Sequence, residues 1–197
     1  MTEIIEVAHT APSNSNTQPW MVYVLAGDRK RALTEVLLSA HNGNLMPPFA
    51  YFPDVLPAVC KQRQDDFGSR YYYALDIDRN DAPARSRATA RNFLFFDASV
   101  GLIFTIDTRL KKHSWLDCGL FIQNIMIAAK ARGLDTCPQV VFARYQPLIA
   151  EHLHLPPGHD VVCGMSLGYA DEGAAINRLD MPREPIERFT NFLGFSD

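Results

Sequence analysis

Residues 11–20 read Ala-Pro-Ser-Asn-Ser-Asn-Thr-Gln-Pro-Trp, and residues 21–25 continue as Met-Val-Tyr-Val-Leu. The first stretch sets an unbroken run of amide and hydroxyl side chains, Ser13, Asn14, Asn16 and Gln18 among them, between two prolines. Proline cannot donate to a helix or an inner strand, and Ser and Asn side chains compete for backbone hydrogen bonds. The stretch is therefore a loop, and a loop of this chemistry can offer N–H groups and amide edges to a flat heteroaromatic ligand. On composition alone, a plain turn with an Asx cap is the simpler account. The five residues that follow are apolar and rich in β-formers, and Gly27-Asp28 closes them off, which predicts a strand.

Working outward, Ile4, Ile5, Val7 and Ala8 give part of one apolar helical face just before the loop. After the strand, Leu33, Val36, Leu37 and Ala40 carry helical spacing through residues 29–41. Residues 42–57 hold prolines 47, 48, 53 and 57 with Phe49, Tyr51 and Phe52, and read as a long loop or lid insertion. Helices are predicted at 58–75, 82–92, 117–132 and 146–153, and strands at 100–106, 136–142 and 160–169. The 117–132 helix is apolar nearly all round, interrupted by Gln123 and Asn124 and stopped at Gly133. The 136–142 segment reads as a buried strand. Gly164 and Gly168 would let backbone approach closely in the last strand. Residues 171–197 form a polar, then amphipathic tail ending in Phe189, Phe192, Leu193 and Phe195. The pattern predicts an α+β fold, a single domain over 1–197 with one central sheet flanked by helices.

The chain has 197 residues, 47% of them apolar and 21% charged, enough for a core without staples. Its 22 acidic and 19 basic residues leave a net charge of −3, so neither a nucleic-acid nor a membrane footprint is expected. The N-terminus carries acids and no apolar signal core. Cys60, Cys118, Cys137 and Cys163 lie far apart with no CxxC, and read as reduced, mostly buried thiols of a cytoplasmic protein. GxGxxG, P-loop, GxSxG and HExxH patterns are absent. His152 and His154, two apart on a helix, point to different faces, so no metal site is expected. Cys137, before Pro138 in an apolar run, reads as a small buried hydrophobe rather than a reactive thiol.

Three blocks together carry a family resemblance. Ala11-Pro12-Ser13-x-x-Asn16-x-Gln18-Pro19-Trp20 before a strand is the first, and Gly133-Leu134-Asp135-Thr136-Cys137-Pro138-Gln139 is the second. The third is Gly164-x-x-x-Gly168-Tyr169, followed by Asn177-Arg178 and Arg183-x-Pro185. Their order and spacing over residues 4–193 resemble the FMN-dependent nitroreductase family. Residues 71–75 and 115–123 are most similar to its nitroaromatic-reducing branch.

The resemblance implies a central, mostly antiparallel sheet and an interwoven homodimer with two FMN sites at its interface. The apolar 117–132 helix would then pack in part on the partner; burial within its own subunit explains the same pattern. The 171–197 tail would also pack on the partner. Pro12, Ser13, Asn14, Asn16 and Gln18 match the loop that reaches the flavin of the other subunit. Pro138, Gln139, Val140 and Val141 match the strip against the flavin edge, with the Val140 N–H toward the ring nitrogen N5. Arg183 matches the arginine that contacts the FMN phosphate, with Arg178 a second candidate beside it. Arg91 and Asn92 fall where the family contacts the flavin pyrimidine, and Phe49, Tyr51 and Phe52 would shape the substrate mouth.

The implied activity is reduction of a nitroaromatic or quinone-like acceptor by NAD(P)H, in a ping-pong scheme with hydride carried by FMN. No protein nucleophile, acid or base is implied. The family's N-terminal Arg-Ser-Arg-like phosphate clamp has no match in the ten residues before Ala11. Expectations from that are a truncated chain, a true start upstream, or a member that purifies with less than one FMN per subunit. A flavin-poor or flavin-free binding or regulatory dimer is therefore the alternative function. Enone reduction or reductive dehalogenation are further chemistries on the same scaffold.

Overall fold

The apolar face at the N-terminus winds into α1 (Thr2–Ala8), and the 11–20 loop delivers the chain into β1 (Trp20–Ala26). The elements that follow are α2 (Gly27–Asn42), α3 (Ala58–Ala74), α4 (Ala82–Ala90), β2 (Val100–Asp107), α5 (Lys112–Lys130), β3 (Asp135–Gln139), α6 (Gln146–Leu153) and β4 (His159–Gly168). The structure is a computed structural model and describes residues 1–45 and 49–195. Within the predicted 42–57 loop, Met46, Pro47 and Pro48 lie outside the described residues.

Packing divides the chain into two units: residues 1–51 with 82–170, and residues 52–81 with 171–197. The first holds the sheet, in the order β1-β2-β4-β3 with every neighbouring pair antiparallel. Inward residues alternate along the strands, so each face of the sheet gathers its own core. On one face Leu102, Phe104, Met165 and Leu167 pack against Ile4 and Ala8 of α1 and Phe121, Ile125 and Ala129 of α5. On the other, Ile103 and Val161 pack with Leu33 and Leu37 of α2 and Ile149 of α6. Val161 and Cys163 share parity yet serve opposite faces. The register shift between Phe104 and Thr105 explains this: Phe104 pairs with Cys163 and Thr105 with Val161, so the extra residue resets the alternation.

Two strand positions need glycine because a ring takes the place of a side chain. A Cβ on Gly164 would come within 2.5 Å of the Phe142 ring, and one on Gly101 within 2.6 Å of Phe95. Phe93, Phe95, Phe142 and Tyr145 interlock over them, with Phe93 and Tyr145 centroids 4.7 Å apart.

Three expectations are corrected here. The 136–142 strand stops at Gln139, and Val140–Tyr145 is a 3₁₀ helix. Curling inward there lets Phe142 reach Gly164 and bury, which an extended course along the sheet edge would not. β3 is an edge strand, and Cys137 in it is exposed rather than a buried hydrophobe. Cys60 is exposed as well, so two of the four thiols are buried, Cys118 and Cys163. α5 begins at Lys112, five residues before the predicted start; Lys112, His113, Trp115 and Leu116 are exposed, so its first turn carries no buried apolar spacing to mark it.

The second unit holds α3 and the tail. α3 has no buried residue, and Phe67 and Tyr71 stack along it at 5.5 Å. Arg63 of α3 pairs with Glu184 of the tail at 3.0 Å. Short 3₁₀ turns at Ala175–Arg178 and Ile186–Arg188 shape the tail, and Phe189, Phe192, Leu193 and Phe195 stand exposed. No helix among the described residues is long and apolar enough to cross a membrane.

Candidate functional site

The 11–20 loop opens to solvent at Pro12, Asn14, Asn16 and Gln18, with Ser13 half-buried. Its backbone is unusual. Ser15, Asn16 and Gln18 hold φ of 51°, 58° and 45°, the left-handed region that side-chain-bearing residues avoid. Each such residue costs on the order of 1–3 kcal/mol, and it persists only where surroundings over-determine it. Here the Gln18 N–H donates to Ser13 Oγ at 3.0 Å, and Gln18 Nε2 donates to the Asn16 carbonyl at 3.2 Å. The Asn14 N–H donates to the buried Asp117 carboxyl at 3.2 Å. The result is a rigid shelf with exposed amides.

The second group of candidates lies on β3 and the turn after it. Pro138 and Val140 are exposed, Val141 is half-buried and Gln139 is buried. Val140 opens the 3₁₀ helix, so its N–H has no intrahelical acceptor. Gln139 Nε2 donates to the Asn92 carbonyl at 2.9 Å and to Asn92 Oδ1 at 3.3 Å, whereas Gln139 Oε1 is buried with no partner among the described residues. Asn92 is thus brought beside the strip, with Arg91 next to it in the chain. Arg91 pairs with Asp97 at 2.9 Å. The turn between them is strained, with Phe95, Phe96 and Asp97 all at positive φ. The Thr34 hydroxyl donates to the Phe93 carbonyl at 2.8 Å, and Lys30 donates to the Ala98 carbonyl, so α2 grips both ends. The protein around the Cys137 sulfur pushes its thiol pKa up, which suits a protonated thiol and not a nucleophile.

β1 and β3 form opposite edges of the sheet, three strand spacings or about 14 Å apart. The loop and the strip are therefore held on separate edges of the same chain.

Arg178 and Arg183 belong to the second unit. Arg178 Nη1 donates to the Glu172 carbonyl at 3.2 Å, and Arg183 Nη1 to the Met181 carbonyl at 3.0 Å. Both guanidinium groups are exposed. Of the predicted mouth aromatics, Phe49 and Tyr51 form a tilted pair at 4.9 Å in the first unit, and Phe52 is exposed in the second. Burial pushes the Tyr51 hydroxyl pKa up against the opposing pull of Arg144.

Asp117 escaped the sequence reading. It is buried on α5, but a single acid in an apolar helix carries no local signal of its partner 103 residues away. Among the described residues, no group of acids, histidines and cysteines is arranged to hold a metal ion.

Known proteins give the arrangement its context. The family model described as the nitroreductase family matches residues 1–169. A 4-nitrobenzoate reductase of Pseudomonas putida is 53% identical over 195 residues, covering 99% of this chain and 86% of that protein. A chloronitrobenzene nitroreductase of Comamonas testosteroni is 44% identical over 194 residues, covering 97% of this chain and 86% of that protein. The crystal structure of the FMN-dependent nitroreductase NfnB from Mycobacterium smegmatis, in complex with NADPH, superposes with a TM-score of 0.93 at 32% identity. That match covers 98% of this chain and 87% of the other. With its three sequence blocks set on the loop, the β3 edge and the end of the sheet and tail, the chain belongs to the nitroreductase family.

Proposed function

We propose that the protein is an FMN-dependent oxidoreductase that uses NAD(P)H to reduce the nitro group of small aromatic compounds. The observation that carries this reading is the family match across the whole sheet-bearing unit, joined to 53% identity with a 4-nitrobenzoate reductase. In net terms, one NAD(P)H and one proton convert a nitro group to a nitroso group and release water. A second equivalent takes the nitroso group to the hydroxylamine.

The residues present fit FMN on two structural observations. Gln139 Oε1 is a buried acceptor with no partner among the described residues, beside the exposed Val140. The 11–20 loop offers exposed amides on a backbone already fixed in a strained shape. Bound FMN would supply the two-electron carrier between NAD(P)H and the acceptor. Gln139, Val140, Val141 and Pro138 would hold the ring edge, with a Val140 N–H favouring negative charge there. Pro12, Ser13, Asn14, Asn16 and Gln18 would orient the other side. Arg183, with Arg178 as second candidate, would neutralise the phosphate through charge-assisted bonds. Phe49 and Tyr51 would shape the mouth and exclude water from an aromatic acceptor.

The same reading takes the protein to be a homodimer. Loop and strip sit on opposite sheet edges, which supports a site that draws one from each protomer. α5 also carries a stripe at helical spacing, Leu116, Leu120, Gln123 and Ile127, that its own subunit leaves exposed. An unburied, mostly apolar stripe on the central helix is what a self-complementary dimer would cover.

The test is steady-state consumption of NADH and of NADPH with added FMN, using 4-nitrobenzoate, a quinone and an enone as acceptors. Nitroarene-dependent turnover with parallel double-reciprocal lines supports a shared site and two half-reactions. Turnover with the enone alone would overturn the nitroarene reading.

A further inference from the structure

Asp117 and Phe121 lie four residues apart on α5, hence on one face, and both are buried. Between them they hold the two ends of the 11–20 loop. Asp117 Oδ2 accepts the Asn14 N–H at 3.2 Å, and Phe121 stacks on Trp20 at 4.8 Å. Asp117 is only 5% exposed and, among the described residues, makes no ion pair. A carboxyl removed from water with one neutral donor works against folding. Aspartate is also a poorer helix former than alanine. Stability therefore does not account for the residue type.

What the carboxyl holds does account for it. Past Asn14 the chain takes its left-handed turns at Ser15, Asn16 and Gln18. The side-chain hydrogen bonds within the loop tie it only to itself: Gln18 to Ser13, Gln18 to Asn16, and Ser15 to Asn14. Among the described residues, the Asn14–Asp117 bond is the side-chain hydrogen bond that fastens this shelf to a rigid helix. An acceptor aimed at one backbone N–H sets the height and rotation of the whole turn.

We propose that Asp117 is a positioning residue for FMN binding. By holding the Asn14 N–H, it presents Ser13 and Asn16 to the cofactor in their strained arrangement. This rests on the flavin reading above and adds to it a residue that touches no ligand.

The experiment is titration of the apoprotein with FMN, followed by quenching of flavin fluorescence, alongside urea unfolding. Asp117→Ala should weaken FMN binding about tenfold or more, while its unfolding midpoint stays at or above that of the unaltered protein. Asp117→Asn, which keeps an acceptor oxygen, should restore affinity to within about twofold of the original. A second pair leaves Asp117 in place. Asn14→Pro removes the N–H at a position where Ser13, with ψ of 150°, suits a following proline. Asn14→Ala removes only the side chain. The proline variant should lose more FMN affinity than the alanine variant. Equal affinities within that pair, or unchanged affinity in Asp117→Ala, would overturn the proposal and leave the flavin reading standing. Should Asp117→Ala not fold, the Asn14 pair decides. Failure of the unaltered protein to bind FMN at all would overturn both.

Discussion

The indole of Trp20 lies flat on the ring of Phe121, with centroids 4.8 Å apart and planes 4° from parallel. The stack joins the exit of the 11–20 loop to the middle of α5, and Phe121 in turn meets Phe104 of β2 edge-on at 6.3 Å. Loop, helix and sheet are thus one packed unit. Phe121→Ala should cost about 3–5 kcal/mol, the usual range for a truncated core aromatic. Equilibrium urea unfolding measures it, and a loss below about 1 kcal/mol would contradict this packing role.

Gly164→Ala should destabilise by about 1–3 kcal/mol or more, because the new Cβ meets the Phe142 ring at 2.5 Å with Phe93 and Phe95 behind it. Gly68→Ala on α3 is the control with the opposite sign. It has nothing within 4 Å of a Cβ and should gain about 0.5–1 kcal/mol. The same unfolding midpoints report both.

The thiols should divide by burial. Burial pushes Cys118 up to about 11 and Cys163 up to about 12, with Asp117 adding to the first and Cys118 to the second. A thiol-specific reagent at pH 8 should titrate Cys60 and Cys137 in the native protein, and all four cysteines only after unfolding. Cys137, raised by its surroundings, should react more slowly than Cys60. The buried pair also sets an alkaline limit. Their folded pKa values lie above the ordinary 9.0, so stability is intact below about pH 9 and is lost as pH rises toward 11–12. Unfolding midpoints that rise across that window would contradict the burial of both.

On the acid side, hydrogen bonds from Arg109 hold the Asp107 carboxyl at about 2, below its ordinary 3.8. The group's contribution is present above 3.8 and fades as pH falls toward 2. Carbon-detected NMR titration of Asp107 should show the low value, and Arg109→Ala should return it toward 3.8.

Sizing at micromolar concentration should give about twice 22.1 kDa. Leu116→Glu with Ile127→Glu, both on the exposed stripe of α5, should shift the protein toward the monomer and weaken FMN binding with it. A folded monomer that binds FMN as tightly as the unaltered protein would contradict the shared site. Arg183→Ala should raise the FMN dissociation constant more than Arg178→Ala; the reverse order would place the phosphate at Arg178.

The regular elements were legible because their patterns are local. Leu33, Val36, Leu37 and Ala40 mark α2 by helical spacing, the Pro-Pro-Gly after residue 155 closes α6, and the β-formers of 21–25 mark β1. The candidate loop was legible for the same reason: its amides and prolines are adjacent in the chain. The positions that sequence left undecided depend on what lies across the fold. Val140 and Val141 have strand-forming side chains, yet they curl into a 3₁₀ helix because Phe142 can bury only over Gly164, on a strand that begins nineteen residues after Val140. Cys137 looks apolar in sequence but lies on an edge strand, which follows from the strand order and not from its neighbours. Gln139 meets Asn92 across 47 residues and Asp117 meets Asn14 across 103. Periodicity and motif report which face of an element is apolar and which loop is polar. Which buried acid meets which N–H is settled only when the sheet closes in its order, because that step alone brings distant backbone and side chain to within a hydrogen bond.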